Sequence, residues 1–240
     1  MGLKPPLNQD RCLAMMIRHP EPGQVKTRLA KRYGDAFAAE LYGCFVDDLI
    51  ATLASGNHHL EIFFTPARRS REIAERFGVR FSYTPQEGRD IGERMERALR
   101  SCFARGFAMA ILIGSDFPDL TAKAVEEAFE ALEQEADAVV GPALDGGYYL
   151  IGFRAAAFDP GLFRAMPWGT DTVFQETVDR LRDRGRRVHL AQRWRDIDRP
   201  EDLEALQARH GNTAFSRSRT MRFLRCRSAM LQPDQGHGSR

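Results

Sequence analysis

Short apolar runs alternate with longer amphipathic stretches along most of the chain. The runs are Cys12–Ile17, Leu60–Phe64, Val79–Tyr83, Ala108–Ile113, Ala138–Gly141, Tyr148–Phe153 and Val188–Leu190. They are rich in Val, Ile, Phe and Leu, and turn residues or charges bound most of them, so each predicts a strand. Between them lie helical patterns. Phe37, Leu41, Phe45, Leu49 and Leu53 recur four apart and predict a helix over 35–54. Similar patterns predict helices over 90–105, 121–134, 171–184 and 200–209. Strand and helix in repetition predict an α/β fold, a mostly parallel sheet covered by helices. From Ala138 to Phe153 two runs are separated only by Pro142 to Gly147, too little for a helix. Part of the sheet is therefore expected to be mixed.

Length and composition narrow the class. A chain of 240 residues fits one large domain. No apolar run approaches the roughly 18–20 residues that cross a bilayer, and Met1 to Asp10 lack the apolar stretch of a secretion signal. The expectation is a cytoplasmic protein without a membrane span. Cys12, Cys44, Cys102 and Cys226 form no C-x-x-C pair, which argues against a zinc site or disulfide framework and for small residues in or near the core. His58-His59 reads as a solvated loop end.

Charge divides the chain. Residues 211–240 hold six arginines and one acid, so this stretch carries +5 of the total +2 and the remainder −3. Such a body fits a small-molecule enzyme better than a nucleic-acid binder. The expected organisation is an N-terminal extension over 1–11, one catalytic domain over 12–210, and a basic, poorly ordered tail over 211–240. Oligomeric state is not legible.

Ligands of parallel sheets sit at the carboxyl ends of the strands, so the chemistry is sought in the loops that follow them. After the first strand come Gly23, Lys26, Thr27 and Arg28. The glycine permits close backbone approach, and two cations with a hydroxyl at a helix start suit phosphate oxygens. A surface loop with exposed basic residues explains them equally well. After the central strand, Gly114-Ser115-Asp116 brings a carboxylate to the ligand edge, fit for a hard cation that bridges phosphates. Capping would be the alternative for Asp116, but Asp119 and Thr121 lie closer to the next helix. Asp145-Gly146-Gly147 is first a turn; it could also lie across a substrate. Trp168 and Thr170 could be core and helix cap or the wall of an acceptor site. Asp196 and Asp198 alternate and so share one side of an extended stretch, where they could complete a metal site or merely favour a helix dipole. Gln86 and Gly88 follow the third strand and could contact a base or ribose.

The order of these segments is more telling than any one of them. Pro22-Gly23 with Lys26-Thr27-Arg28, Gly114-Ser115-Asp116 with Pro118, Gly141-Pro142 with Asp145 to Leu150, Pro167 to Thr170, and Asp196-Ile197-Asp198 with Pro200 to Leu203 follow in turn. This resembles the bacterial glycosyltransferase-like family named for arsenosugar biosynthesis, found with radical-enzyme and selenium-associated domains and related to the 2-phospholactate guanylyltransferases. The resemblance covers about Cys12 to Gln207. It implies a GT-A, nucleotide-diphospho-sugar transferase fold. It implies Lys26 and Arg28 on donor phosphates, and a Mg²⁺ or Mn²⁺ ion on Asp116 and Asp198. Two positions depart from the family: Phe117 stands where cysteine is common, and Arg199 stands where threonine usually caps the last helix.

Three activities follow as expectations. The first is glycosyl transfer from a nucleotide-diphospho-sugar to a small acceptor. Ser115, Gln86, Gly88 and the Gly23–Arg28 loop would hold the donor, Gly146, Gly147, Trp168 and Thr170 the acceptor, and Asp145 would orient or deprotonate its hydroxyl. The second is nucleotidyl transfer from a nucleoside triphosphate with loss of pyrophosphate. The third, a non-catalytic nucleotide-binding protein, would be expected to lack one of the carboxylates, yet Asp116, Asp145, Asp196 and Asp198 are all present.

Overall fold

A computed structural model describes residues 9–227. Seven strands form one sheet: β1 (Arg11–Arg18), β2 (His59–Thr65), β3 (Ser82–Pro85), β4 (Met109–Ile113), β5 (Ala138–Pro142), β6 (Tyr148–Arg154) and β7 (Val188–Leu190). Their order is β3-β2-β1-β4-β6-β5-β7. Only β6 runs against its neighbours, pairing antiparallel with both β4 and β5. This is the mixed region expected from the short β5–β6 connection. The expected strand at Val79–Tyr83 begins later, at Ser82, and Val79 is exposed. As an edge strand, β3 pairs only with β2 and has one neighbour to fix its register.

The helices cover both faces. They are α1 (Thr27–Tyr33), α2 (Asp35–Leu53), α3 (Ser70–Phe77), α4 (Ile91–Ala104), α5 (Ala122–Gln134), α6 (Val173–Asp183), α7 (Pro200–His210) and α8 (Arg219–Cys226). Alternation along β1 divides the core. Leu13, Met15 and Ile17 pack with α2, α5 and α7 on one face, while Cys12, Ala14 and Met16 pack with α4 and α6 on the other. No described helix is long and apolar enough to cross a membrane.

Three expectations change. The stretch expected to be a poorly ordered tail contains α8, which docks on α2: Met221 and Leu224 are buried in the main core, and the Phe223 ring lies 5.1 Å from that of Phe37. The Asp48 carboxylate accepts both leading amides, Arg219 N and Thr220 N, at 2.8 Å. Arginine-rich composition concealed two apolar positions three apart, enough to bury one helical face. Residues 228–240 and 1–8 lie outside the described residues, and β1 begins inside the expected extension, at Arg11. His58 is not solvated. It is buried and stacked on Phe129 at 5.6 Å, and burial pulls its imidazole down to about 4. Among the cysteines, Cys12 and Cys102 are buried with sulfurs 3.3 Å apart, whereas Cys226 is exposed.

Candidate active site

The chemistry-bearing loops meet at the edge where β1, β2, β3 and β4 end. The loop after β1 is braced by Arg18, whose Nη1 donates to the Gln24 carbonyl at 2.9 Å. Lys26 ends this loop with left-handed backbone, φ 48°, and its carbonyl accepts Ala30 N as α1 begins. A non-glycine residue in that region costs about 1 kcal/mol. The conformation turns the lysine inward. Its side chain is 3% exposed, and its ammonium lies 2.5 Å from Asp116 Oδ1 and 3.7 Å from Asp198 Oδ1. Arg28, one turn into the open, donates to Asp198 Oδ2 at 2.7 Å.

Asp116 and Asp198 are 82 residues apart in sequence, and backbone hydrogen bonding brings them together. The stretch 194–198 runs between two loops. Trp194 N donates to Pro142 O at 3.0 Å and Leu144 N to Trp194 O at 3.1 Å; on the other side Ile197 N donates to Asp116 O at 2.9 Å. Ile197 is fully buried, and Asp196 and Asp198 on either side of it both line the cleft. Arg199 has no acceptor with which to cap the α7 amides, and Asp202 instead braces the chain that enters the helix. Asp202 Oδ2 accepts Asp198 N at 3.2 Å and Arg199 N at 2.9 Å, and its other oxygen accepts Arg195 Nη1 at 3.1 Å. Pro200 takes the first helical position as the sequence predicts.

The cleft has two lobes of about 680 and 670 Å³. Arg28, Ile91, Met95, Asp145, Gly147, Tyr148, Asp196 and Asp198 line both and form the divide. The first lobe holds Lys26, Thr27, Gln86, Ser115 and Asp116, with Arg18 and Arg94 adding charge. The second holds Trp168, Thr170, Asp171 and Arg195. Of the expected donor residues Lys26, Thr27, Gln86 and Ser115 thus lie on one side of the shared carboxylates, and of the expected acceptor residues Trp168 and Thr170 lie on the other, while Arg28 and Gly147 line both.

The divide is built with care. Asp145 Oδ1 accepts Gly147 N at 2.9 Å, closing the turn, and no described partner takes Oδ2 within hydrogen-bonding distance. Gly146 lines neither lobe. Its φ is +89°, and a Cβ there would stand 2.2 Å from the Asp171 carbonyl oxygen. Its own carbonyl accepts Phe174 N at 2.9 Å, so it fastens the turn to the start of α6. Trp168 lies flush on α4: a Cβ on Gly92 would meet its ring at 2.6 Å, and Tyr148 meets it edge-on at 6.5 Å. Thr170 does not cap α6. Its hydroxyl donates to Pro167 O at 2.8 Å and shares a hydrogen bond with Thr172, the residue that precedes the helix. Burial, reinforced by Asp145 and Asp202, pushes the Asp196 carboxyl up to about 6.

Other expectations resolve differently. Gly23 and Gly88 line neither lobe. Gln86 lines the first lobe, but its amide nitrogen is spent on Ile17 O and Phe63 O, both at 2.9 Å, where it ties β1 to β2. Thr121 caps α5, accepting Ala124 N at 3.2 Å. Asp119 does not: it is buried and accepts Trp194 Nε1 at 2.9 Å, His210 Nε2 at 2.7 Å and Arg209 Nη2 at 3.2 Å. Ser115 is held by Tyr42 of α2, whose hydroxyl lies 2.7 Å from Oγ and accepts Arg18 N at 2.9 Å. Arg18, Arg94 and Asp171 lie within or at the ends of the loops read from the sequence but carry no ligand role there, and Tyr42, on a helix face, carries no local motif; all four line the cleft.

A metal site can be assessed on the donors present. Two hard carboxylates converge on one point that already attracts a cation, the Lys26 ammonium. Among the described residues no group of three or more His, Cys, Asp or Glu side chains could hold a metal. Mg²⁺ commonly takes one or two protein carboxylates and completes its shell with phosphate oxygens and water. The pair fits that pattern.

Comparison with known proteins agrees with this architecture. The family described as "Uncharacterized protein conserved in bacteria (DUF2064)" matches residues 49–170. The chain is 37% identical to a Desulfovibrio desulfuricans G20 protein provisionally named a nucleotide-diphospho-sugar transferase, with a TM-score of 0.90 over 93% of this chain and 97% of that one. A cytidylyltransferase from Leptospira borgpetersenii serovar Hardjo-bovis superposes with a TM-score of 0.55 at 12% identity, covering 96% and 100% of the two chains. The 4-diphosphocytidyl-2C-methyl-D-erythritol synthase of Anaerococcus prevotii gives 0.55 at 9% identity over 85% and 97%. These last two share the fold alone. No curated protein matches the sequence. The chain belongs to the DUF2064 family and has the nucleotide-diphospho-sugar transferase fold.

Proposed function

We propose that the protein is a transferase that uses a nucleotide-activated donor and a divalent ion, and that the group transferred is a glycosyl unit. One observation carries the proposal: Asp116 and Asp198, from opposite halves of the chain, converge on the Lys26 ammonium, at 2.5 and 3.7 Å, in a lobe that also holds Arg18, Arg28 and Arg94. The order of motifs, which resembles the arsenosugar-type glycosyltransferases, supports it. The name given to the D. desulfuricans relative points the same way.

In this reading the donor lies in the first lobe. Arg18, Lys26, Arg28 and Arg94 face its phosphates, with Arg as the fork-shaped donor to oxygen. Ser115, fixed by Tyr42, offers a further polar contact. Asp116 and Asp198 would hold the ion, which supplies Lewis-acid stabilisation of the charge that develops on the leaving diphosphate. Lys26 adds a fixed positive charge at the same place. It is buried and pre-oriented, so little reorganisation is needed as charge moves there. The acceptor hydroxyl enters from the second lobe, and Asp145 Oδ2 orients it across the divide.

Nucleotidyl transfer is the second reading. The four cations of the first lobe favour it, because they would also match a triphosphate. A thermal-shift panel distinguishes the two. Nucleotide-sugars and nucleoside triphosphates are compared, with and without Mg²⁺ or Mn²⁺. The proposal predicts stabilisation by at least one nucleotide-sugar that exceeds that by the matching triphosphate. The reverse order overturns glycosyl transfer and leaves nucleotidyl transfer.

A further inference from the structure

The second lobe has a chemical character of its own. One side is apolar: Leu144, Trp168 and Val173 line this lobe alone, and Ile91 and Met95 continue the apolar surface into the divide. Among the described residues only Val79, Ile91, Leu144 and Leu190 are large apolar side chains left exposed, and Ile91 and Leu144, at 43% and 46%, both line this cavity. Trp168 is seated against Gly92 and Tyr148, so the indole wall is rigid.

The other side is acidic. Arg28 pairs with Asp198 at 2.7 Å and Arg195 with Asp202 at 3.1 Å, which neutralises those four groups. What remains in the lobe is Arg199 against Asp145, Asp171 and Asp196. None of these three carboxylates has a cationic side chain within 4 Å among the described residues. Counted over its whole lining, this lobe sets three arginines against five aspartates, whereas the first lobe is balanced, with Arg18, Lys26, Arg28 and Arg94 against Asp116, Asp145, Asp196 and Asp198.

Building on the transferase reading, we propose that the acceptor is an uncharged, polyhydroxylated molecule with an apolar face, of the kind presented by a pyranose or cyclic polyol, and not a phosphorylated or carboxylated acid. Carboxylates only accept hydrogen bonds when ionised, and hydroxyls are the donors that match them. An indole wall takes the C–H face of such a ring. An acceptor phosphate would meet an excess of like charge, which costs affinity and selects against it.

The test uses the full chain with the first lobe filled by whichever of ADP, GDP, CDP or UDP raises the melting temperature most, in Mg²⁺. Ligand-observed NMR titration then compares matched pairs: phenyl glucoside with its 6-phosphate, and myo-inositol with its 1-phosphate. The expected result is at least tenfold tighter binding by the neutral member of each pair. Trp168→Ala should weaken the neutral ligands about tenfold. Asp145→Asn with Asp171→Asn, which keeps the acceptor oxygen that closes the 145–147 turn, should cut the discrimination to under threefold. Equal or tighter binding by the phosphates, or no binding by any neutral member to nucleotide-loaded protein, overturns the proposal. A protein that no nucleoside diphosphate stabilises overturns the transferase reading instead.

Discussion

Asp119→Ala tests how the two halves of the site are held together. The carboxylate is 4% exposed and stands at a junction of three segments. Its Oδ1 accepts the Trp194 indole N–H at 2.9 Å, and its Oδ2 accepts His210 at 2.7 Å and Arg209 at 3.2 Å. Truncation strands a largely buried indole donor, at about 1–2 kcal/mol. It also removes the acceptor of two donors on α7. Arg209 is 40% exposed and can turn to water, so its share is small, while His210, at 20%, cannot rehydrate fully. Together these give a loss of about 3 kcal/mol, within the range for removing one partner of a buried charged pair. For a domain of this size that lowers the melting temperature by roughly 6–12 °C. Asp119→Asn keeps an acceptor for Trp194 and should lose about half as much. Urea unfolding, with m unchanged, reads the difference directly. Nucleotide affinity should fall with it, because Trp194 opens the stretch that brings Asp198 to Asp116. A loss of less than 1 kcal/mol for the alanine variant would refute the reasoning, since it would mean that this junction carries no weight.

Other consequences are equally open to measurement. Gly146→Ala meets both a positive φ and a carbonyl oxygen at 2.2 Å, so it should destabilise the fold by about 2–4 kcal/mol and shift the amide signals of 143–147 and 171–174 in an NMR spectrum. Leu224→Ala, at a fully buried position of α8, should cost about 2–4 kcal/mol in urea unfolding; no change would mean that α8 does not dock. His58 has a folded value of about 4, below its ordinary 6.5. The unfolded chain therefore binds the proton first. This destabilisation is absent above pH 6.5, grows as pH falls through the window and levels off below 4, at about 3 kcal/mol. His58→Gln should flatten that part of the pH–stability curve, and an unchanged slope would assign the acid sensitivity to other groups.

Much of the architecture is legible in the sequence because its signals are local and repeated. The continuous apolar run of β1 and the four-residue spacing in α2 each fix an element without reference to the rest. The short β5–β6 connection reveals a reversed strand by length alone. The sheet-edge rule then brings Lys26, Asp116 and Asp198 to one side. What it does not reveal is which atoms meet. Lys26 lies between the two carboxylates because its backbone turns left-handed, which no residue type announces. Asp119 reads as a helix cap because capping is a short-range habit, whereas its partners lie 75 and 91 positions away. Gln86 reads as a base or ribose contact, but its amide is consumed by two strands. The α8 helix is short and dense in arginine, so composition points to disorder, while two buried apolar side chains, Met221 and Leu224, decide otherwise.

The central claim is that Asp116 and Asp198 hold a divalent ion together with the donor's phosphates. The direct measurement is nucleotide-induced thermal stabilisation, with and without Mg²⁺ or Mn²⁺, in the wild type and in Asp116→Asn. At a nucleotide concentration about 100 times Kd, binding adds roughly 2.7 kcal/mol, a shift of several degrees. The account predicts that part of the wild-type shift depends on the metal. In Asp116→Asn that part should vanish, while the metal-free part, carried by Arg18, Lys26, Arg28 and Arg94, remains. A metal-dependent increment of unchanged size in Asp116→Asn would contradict it.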